Sequence, residues 1–330
     1  MRFAVLGAGG WGTAVARLLA RGGHETVLWV RDPARAAEIA QTHENEKYLP
    51  GVRLPVERLD VTGDLRAAAR ADVVFLAVPS FAMAETIDLV APLLPERPIL
   101  ISLAKGLDRE TKKTMSEVPH ERVPPARTFA LSGPSHAEEV GRDIPTLVVL
   151  AGADEELGRT LQRAIATSRF RVYVASDLRG VELCAAIKNV IALAVGISDG
   201  LGYGDNSRGA LVTRGLAEMV RFGRSLGVRD ATVFGLSGLG DLVATCTSVH
   251  SRNRNVGYRL GRGEKIEDIL KDMVMVAEGV FATNIVRDLA RSRGIEMPIT
   301  EAVARLLEGN VDPLSLVDAI MTREPKVEGA

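Results

Sequence analysis

The stretch RFAVLGAGGWGTAVARLLA, residues 2–20, is the most informative part of this 330-residue chain for predicting its fold. A short apolar run is followed by Gly7, Gly9 and Gly12, and residues 13–20 then place apolar side chains at helical spacing. Strand, glycine turn and helix in this order form the dinucleotide-binding fingerprint. The first glycine makes the turn, the second lets the backbone approach a pyrophosphate, and the third lets helix and strand pack closely. The sequence therefore predicts a Rossmann-like domain with a pyrophosphate at the N-terminus of its first helix.

Apolar runs continue this pattern as far as residue 174. They predict strands at 26–30, 72–78, 98–103, 128–131, 145–150 and 170–174, and a helix at 154–166. Beyond residue 174 only helical patterns follow, the last at 313–321. We therefore predict an α/β N-terminal Rossmann-like domain with a mostly parallel sheet over residues 1–176. An all-α C-terminal domain is predicted over residues 177–330, with a substrate enclosed between the two.

The end of the second predicted strand carries both residue types that select a nicotinamide cofactor. An acid at this place, such as Asp32, suits the ribose hydroxyls of NAD, whereas an arginine, such as Arg31, suits the 2′-phosphate of NADP. Arg31 lies closer to the strand end, which slightly favours NADP over NAD. The alternative is that Arg31 is a solvated loop charge.

Residues 183–197 are almost entirely apolar, which predicts a helix buried on most of its sides. Asp177 is a candidate cap for this helix. One charge, Lys188, interrupts the run and is followed by Asn189. A buried ammonium group is unfavourable unless it is paired or loses its proton. Since burial shifts the pKa of lysine readily, Lys188 is a candidate general base. A structural ion pair is the alternative.

Two polar segments follow in the helical half. LSGLGDLVATCT, 236–247, places Asp241 after two glycine turns at a helix start, where a helix cap is the structural alternative. HSRNRN, 250–255, groups hydroxyl, guanidinium and amide side chains around another helix start. This composition indicates an anion site in which Arg252 makes a bidentate contact. A solvated basic loop is the other interpretation.

Ligands in doubly wound sheets bind beyond the carboxyl ends of the strands. Lys105 follows the predicted strand at 98–103, while Ser132, Gly133 and Ser135 follow the one at 128–131. These residues are therefore candidates for contact with a ligand. The alternative for Lys105 is a loop lysine without a functional role.

The composition restricts the partners that the chain can attract. With 41 basic and 42 acidic residues the net charge is −1, so no overall field favours nucleic acid or an anionic membrane. Cys184 and Cys246 lie far apart, without metal-ligand spacing, and we expect reduced cysteines in a cytoplasmic protein without a metal. Residues 1–20 predict a strand and a helix rather than a signal peptide, and we expect no membrane span.

Taken together, these segments closely resemble the NAD(P)-dependent glycerol-3-phosphate dehydrogenases of the bacterial type. The matching stretches span nearly the whole chain: GAGGWGTA (7–14), NEKYLPG (45–51), SLAKGL (102–107), LSGPSHAEEV (131–140), ELCAAIKNVIALAVGISDGLGYGDN (182–206), GLGDLVATCTS (238–248), SRNRNVG (251–257) and VAEG (276–279). His136 departs from this resemblance, which favours phenylalanine at its position.

The resemblance implies an oxidoreductase that interconverts sn-glycerol 3-phosphate and dihydroxyacetone phosphate with NADP or NAD, for glycerophospholipid biosynthesis. It implies that Lys188 is the general acid/base. The substrate-binding residues it implies are Lys105, Gly133, Ser135, Asn189, Asp241, Thr245, Ser251, Arg252 and Asn253. The glycine turn and the resemblance together predict the following cofactor-binding residues: Gly7, Gly9, Gly10, Trp11, Gly12, Arg31, Lys105, Ala137, Arg252, Val276 and Glu278.

Two other functions compete with this interpretation. A dehydrogenase of the same architecture that acts on a β-hydroxyacid, such as 3-hydroxyisobutyrate or 6-phosphogluconate, would share the glycine turn and a helix lysine. A non-catalytic NAD(P) sensor would share the fold. The segments HSRNRN and SLAKGL favour the phosphorylated substrate. The long helices with apolar faces lead us to expect a homodimer.

Overall fold

The structure is a computed structural model that describes residues 1–124 and 126–315. Its first half is built on one eight-stranded sheet with the strand order β3-β2-β1-β4-β5-β6-β7-β8. The strands are β1 (Arg2–Leu6), β2 (Glu25–Trp29), β3 (Leu59–Thr62), β4 (Val73–Leu76), β5 (Ile99–Ser102), β6 (Arg127–Ser132), β7 (Thr146–Gly152) and β8 (Phe170–Ala175). Neighbouring strands are parallel except β6 and β7, which are antiparallel. The predicted mostly parallel sheet is confirmed.

Seven α-helices accompany the sheet within the described residues up to Ala175. They are α1 (Gly10–Arg21), α2 (Pro33–Thr42), α3 (Leu65–Ala69), α4 (Met83–Val90), α5 (Glu117–Arg122), α6 (Ala137–Gly141) and α7 (Glu155–Ile165). Two separate apolar clusters cover the two faces of the sheet, one around Phe3 and Phe75 and the other around Leu6 and Leu76. Because side chains alternate along a strand, neighbouring residues of β1 and β4 serve opposite faces. The central strands are consequently buried on both sides, as their continuous apolar runs predict.

The second half is helical, as predicted. Its helices are α8 (Leu178–Gly200), α9 (Asp205–Ser225), α10 (Asp230–Val233), α11 (Asp241–Thr247), α12 (Arg252–Gly261), α13 (Ile266–Asp272), α14 (Glu278–Arg291) and α15 (Pro298–Leu307). The predicted last helix at 313–321 lies mostly outside the described residues. Asp177 caps α8 by accepting a hydrogen bond from the backbone N–H of Gly180.

Helix α8 is the centre around which the other helices pack. It is long and apolar enough to cross a membrane, but the whole of its most apolar window is buried inside the protein, as in a core helix. Glycines let α12 approach it very closely. A Cβ atom on Gly257 would lie 2.1 Å from the carbonyl oxygen of Leu193, and one on Gly196 would lie 2.1 Å from that of Arg254. This approach brings the N-terminus of α12 beside the middle of α8.

Candidate active site

A cavity of about 600 Å³ lies between the sheet and the helices. Its wall combines the loops that follow β1, β2, β4, β5 and β6 with residues of α8, α11, α12 and α14. All of the residues predicted for the site line this cavity except Ser132 and Gly133. Gly133 contacts a residue that does line the cavity, because its carbonyl oxygen accepts a hydrogen bond from Lys105 Nζ at 2.8 Å.

The glycine turn forms one end of the cavity, and its geometry requires glycine. Gly7 has a φ of 111°, a conformation that residues with a side chain rarely adopt, and a Cβ atom on Gly12 would lie 2.0 Å from the carbonyl oxygen of Gly7. Helix α1 begins directly after Gly9, which offers no side chain to cap its first turn. The N–H groups of that turn therefore remain available to an anion, and the turn fits the pyrophosphate of a dinucleotide.

Two lysines and one aspartate meet at the opposite end, although they come from three distant parts of the chain. Lys188 Nζ lies 2.6 Å from Asp241 Oδ1 and 2.7 Å from Thr245 Oγ1. Lys105 Nζ lies 2.8 Å from the other oxygen of Asp241 and 3.4 Å from Ser135 Oγ. Asp241 begins α11, but its carboxylate bridges the two lysines, and no side-chain cap serves the N-terminus of that helix. The interpretation of Asp241 as a simple helix cap is therefore wrong.

Burial and charge act against each other on these groups. Burial lowers the pKa of Lys188 to about 7, with Lys105 acting in the same direction and Asp241 opposing both. Burial alone would raise the pKa of Asp241, but Lys105 and Lys188 outweigh it and keep that pKa below its usual value. The site therefore holds an anionic aspartate beside a lysine that exchanges its proton near neutral pH.

The amide side chains of Asn189 and Asn253 tie the helices to the Lys105 loop. Asn189 Nδ2 donates to the carbonyl oxygen of Lys105 at 3.0 Å, and Asn253 Nδ2 donates to Asn189 Oδ1 at 2.9 Å. The backbone N–H of Gly279 completes the chain by donating to Asn253 Oδ1 at 2.9 Å. These bonds connect α14, α12 and α8 with the loop after β5. Asn189 thereby fixes the backbone of Lys105, and Asn253 fixes the side chain of Asn189.

Arg252 opens onto the cavity at the first position of α12. The preceding residue, Ser251, caps this helix by accepting a hydrogen bond from the backbone N–H of Arg254. Arg252 makes no hydrogen bond or ion pair with any other residue among those that the structure describes. Arg252 is exposed at the surface of the cavity. The surrounding protein nevertheless desolvates its guanidinium and so lowers its pKa, while the charges of Glu278 and Glu138 oppose this effect. A cationic guanidinium with its donors unused is suited to an anionic ligand.

Glu278, the first residue of α14, connects the helical half to the sheet. Its carboxylate accepts hydrogen bonds from the backbone N–H of Ser80 at 2.9 Å and from Ser80 Oγ at 2.6 Å. Ser80 follows β4, so this pair joins the two halves at the wall of the cavity. Ser80 was not predicted for the site, because a serine after a proline is common in turns and carries no functional signal by itself.

Further lining residues were not among those predicted. His136 Nε2 lies 3.4 Å from the carbonyl oxygen of Ala244, and its ring centroid is 6.1 Å from that of His250. Burial and then Lys188 lower the pKa of His136, so this imidazole is neutral near pH 7. At the Arg31 end the additional lining residues include Arg35, Lys47 and Tyr48. Within the described residues no group of three or more His, Cys, Asp or Glu side chains is arranged to hold a metal ion.

The chain is similar to known proteins over nearly its whole length. Models of the N-terminus and the C-terminus of NAD-dependent glycerol-3-phosphate dehydrogenase match residues 2–158 and 177–318. The chain is 48% identical to the glycerol-3-phosphate dehydrogenase [NAD(P)+] of Chlorobium limicola over 99% of both chains. It is 49% identical to that of Moorella thermoacetica over 97% of this chain and 95% of the relative. The crystal structure of glycerol-3-phosphate dehydrogenase from Coxiella burnetii superposes with a TM-score of 0.93 at 39% identity, covering 98% of this chain and 99% of that one.

Proposed function

Since the chain belongs to the NAD-dependent glycerol-3-phosphate dehydrogenase family, we propose that it interconverts dihydroxyacetone phosphate and sn-glycerol 3-phosphate with NAD(H) or NADP(H). One observation supports this most strongly. A single cavity joins a glycine turn suited to a dinucleotide with a buried lysine whose pKa is near 7 and with Arg252, which has no ion-pair partner among the described residues. These are the three requirements of the reaction: a site for the cofactor, a group that exchanges a proton, and a cation for the phosphate.

Lys188 is the general acid and base of the proposed mechanism. A protonated amine has three N–H groups, and its contacts with Asp241 Oδ1 and Thr245 Oγ1 occupy two of them. The third is left for the cavity, which Lys188 lines. When the amine loses a proton it keeps two donors for the same partners, so its lone pair takes the remaining direction. The two contacts therefore aim either the proton or the lone pair at the substrate.

In ketone reduction the ammonium group of Lys188 donates a hydrogen bond to the carbonyl oxygen and stabilises the negative charge that develops there. It then transfers the proton to that oxygen. In alcohol oxidation the neutral amine accepts the hydroxyl proton. The bound nicotinamide cofactor supplies or accepts the hydride. A pKa near 7 makes both forms of Lys188 available at neutral pH, which suits a reversible reaction.

The remaining assigned residues hold the substrate and support the lysine. Arg252, with Ser251 and Asn253 beside it, binds the phosphate, while Lys105 and Asp241 set the charge around Lys188. Asn189 and Ser135 position this group, and Gly133 anchors Lys105 through its carbonyl oxygen. Cofactor contacts are assigned to the glycine turn and to Gly10, Trp11, Arg31, Lys105, Ala137, Arg252, Val276 and Glu278. The support for these assignments is that all of them except Gly133 line the cavity.

The proposal also covers the domain division of the chain, its oligomeric state and its location in the cell. We assign residues 1–176 to cofactor binding and 177–330 to the substrate and catalysis, since the sheet ends at Ala175 and α8 begins at Leu178. We further infer a cytoplasmic homodimer that serves glycerophospholipid biosynthesis. Cys184 and Cys246 are both buried and unpaired, which suits a reducing compartment. Light scattering coupled to size-exclusion chromatography tests the dimer.

The reaction is tested with the purified protein by following the absorbance of NADPH or NADH. We expect oxidation with dihydroxyacetone phosphate and none with dihydroxyacetone, with 3-oxo acids, or without a ketone. Turnover of the 3-oxo product of 3-hydroxyisobutyrate, without turnover of dihydroxyacetone phosphate, would support the β-hydroxyacid dehydrogenase instead. Binding of the cofactor with no turnover of any ketone would support a sensor.

A further inference from the structure

Three cations gather at the end of the cavity that the loop after β2 forms. Arg31, Arg35 and Lys47 all line this end. Among residues 1–124 and 126–315, no carboxylate forms an ion pair with any of the three. Asp32 also lines the cavity here, but its Oδ1 accepts a hydrogen bond from the backbone N–H of Ala34 at 3.0 Å and thereby caps α2. This end of the cavity therefore carries an excess of positive charge, although the whole chain has a net charge of only −1.

Arg35 is the member of this cluster whose side chain is held in place. Its guanidinium carbon lies 4.6 Å from the centroid of the Tyr48 ring, and its Nη2 donates a hydrogen bond to Asn45 Oδ1 at 3.1 Å. Lys47 Nζ lies 5.3 Å from the centroid of the same ring. An arginine that is already ordered loses less conformational freedom when it binds an anion than a mobile one does.

Asn45 connects Arg35 to the glycine turn. It is buried, and its Nδ2 donates to the carbonyl oxygen of Ala8 at 2.9 Å and to Thr13 Oγ1 at 2.8 Å. Ala8 belongs to the glycine turn and Thr13 to the first turns of α1. Arg35 is therefore fixed relative to the turn that receives the pyrophosphate. In this fold the adenosine ribose of a dinucleotide lies between that turn and the end of the second strand.

We propose that Arg35 is a specificity-determining residue that binds the 2′-phosphate of NADP(H) together with Arg31 and Lys47, so that the enzyme prefers NADP(H) to NAD(H). The 2′-phosphate is the one charged group that distinguishes the two cofactors. A guanidinium presents paired donors to two phosphate oxygens, and neighbouring cations add to the attraction. The proposal rests on the proposed function only in that the cavity receives a nicotinamide dinucleotide, and not on the identity of the ketone.

The test measures binding of the cofactor to the full chain without a ketone, by isothermal titration calorimetry. The chain has two tryptophans, Trp11 and Trp29, and both line the cavity, so quenching of their fluorescence is a second readout. The ligands are NADPH, NADH and the pair adenosine 2′,5′-bisphosphate and adenosine 5′-monophosphate. The variants are Arg35→Ala and Arg35→Lys. Arg97→Ala is the matched control, because Arg97 is exposed just before β5, at the amino ends of the strands.

We expect Arg35→Ala to weaken NADPH about tenfold or more and NADH less than about twofold, since a charge-assisted hydrogen bond is lost only with the phosphorylated cofactor. Adenosine 2′,5′-bisphosphate should lose affinity in parallel with NADPH. Arg35→Lys should lose less, and Arg97→Ala should match the wild type. Raising the salt concentration should weaken NADPH more than NADH, because the cluster is partly exposed.

Equal weakening of NADPH and NADH by Arg35→Ala would overturn the proposal and leave Arg35 as a brace for Tyr48 and Asn45. Unchanged binding of both cofactors would overturn it as well. The outcome is independent of the proposed reaction, because no ketone is present. A protein that binds NADPH through Arg35 but does not reduce dihydroxyacetone phosphate would contradict the proposed function alone.

Discussion

Replacing Asp241 by asparagine separates the charge of this residue from its shape. The carboxylate lies 2.6 Å from Lys188 Nζ and 2.8 Å from Lys105 Nζ, and it opposes the burial that lowers the pKa of Lys188 to about 7. Asparagine retains the volume and one acceptor oxygen but not the charge. Removing an opposite charge at this distance lowers a lysine pKa further, by about 1–3 units. Asp241→Asn should therefore leave Lys188 mostly neutral at pH 7.

The size of the effect follows from the protonated fraction. With a pKa of about 7, half of the Lys188 side chains are protonated at pH 7. If the pKa falls by about two units, roughly 1% remain protonated, and kcat for ketone reduction at pH 7 should fall about 50-fold. Most of this loss should disappear near pH 5. Oxidation of glycerol 3-phosphate should suffer less at neutral pH, because it uses the neutral amine.

The assay is the initial rate of dihydroxyacetone phosphate reduction at saturating substrate between about pH 5 and pH 9. Thr245→Val is the control, because it removes the neutral 2.7 Å contact with Lys188 and leaves the charges unchanged. It should lower kcat at every pH without moving the midpoint of the profile. An unchanged midpoint in Asp241→Asn would show instead that the charge of Asp241 does not set the proton affinity of Lys188.

Three further predictions concern single side chains. Lys188→Ala should lower kcat by at least about 10²-fold with little change in cofactor affinity, and near-normal turnover of the folded variant would remove Lys188 from the mechanism. Arg252→Ala should raise KM for dihydroxyacetone phosphate more than it lowers kcat, with partial recovery in Arg252→Lys; an undiminished preference over dihydroxyacetone would locate the phosphate elsewhere. Burial raises the pKa of Glu182 to about 7, so the stability it contributes is present below its unfolded pKa and is lost as pH rises through 7. By urea unfolding, Glu182→Gln should resemble the wild type near pH 4 and be more stable near pH 8 by up to about 3 kcal/mol, and a loss of stability near pH 8 would contradict this.

The elements with continuous or strongly periodic apolar patterns were predictable from the sequence. The buried strands β1, β4 and β5 and the core helix α8 all belong to this class. β3, at Leu59–Thr62, was missed because it is an edge strand of intermediate exposure that contains Asp60 and shows no apolar run. The antiparallel pairing of β7 with β6 could not be predicted either, because the buried apolar run of β7 is compatible with a parallel or an antiparallel strand.

Buried charged residues were the other feature that the sequence predicted only in part. Glu218 lies on the amphipathic helix α9, where a glutamate is expected to face solvent, yet it is buried and accepts hydrogen bonds from the backbone N–H groups of Ile299 and Thr300 at the start of α15. Lys188 was recognisable because it stands alone in an apolar run. Its partner Asp241 has no such pattern, and the contact between them depends on the packing of α11 against α8.

The proposed mechanism rests on the claim that Lys188 exchanges a proton near neutral pH. Carbon-13 NMR of the enzyme labelled at lysine Cε measures this directly, with the Lys188→Met variant used to assign the resonance. We expect one lysine signal that titrates near pH 7 and is absent from the variant. Titration of every lysine near its ordinary value of about 10.4 would contradict the claim.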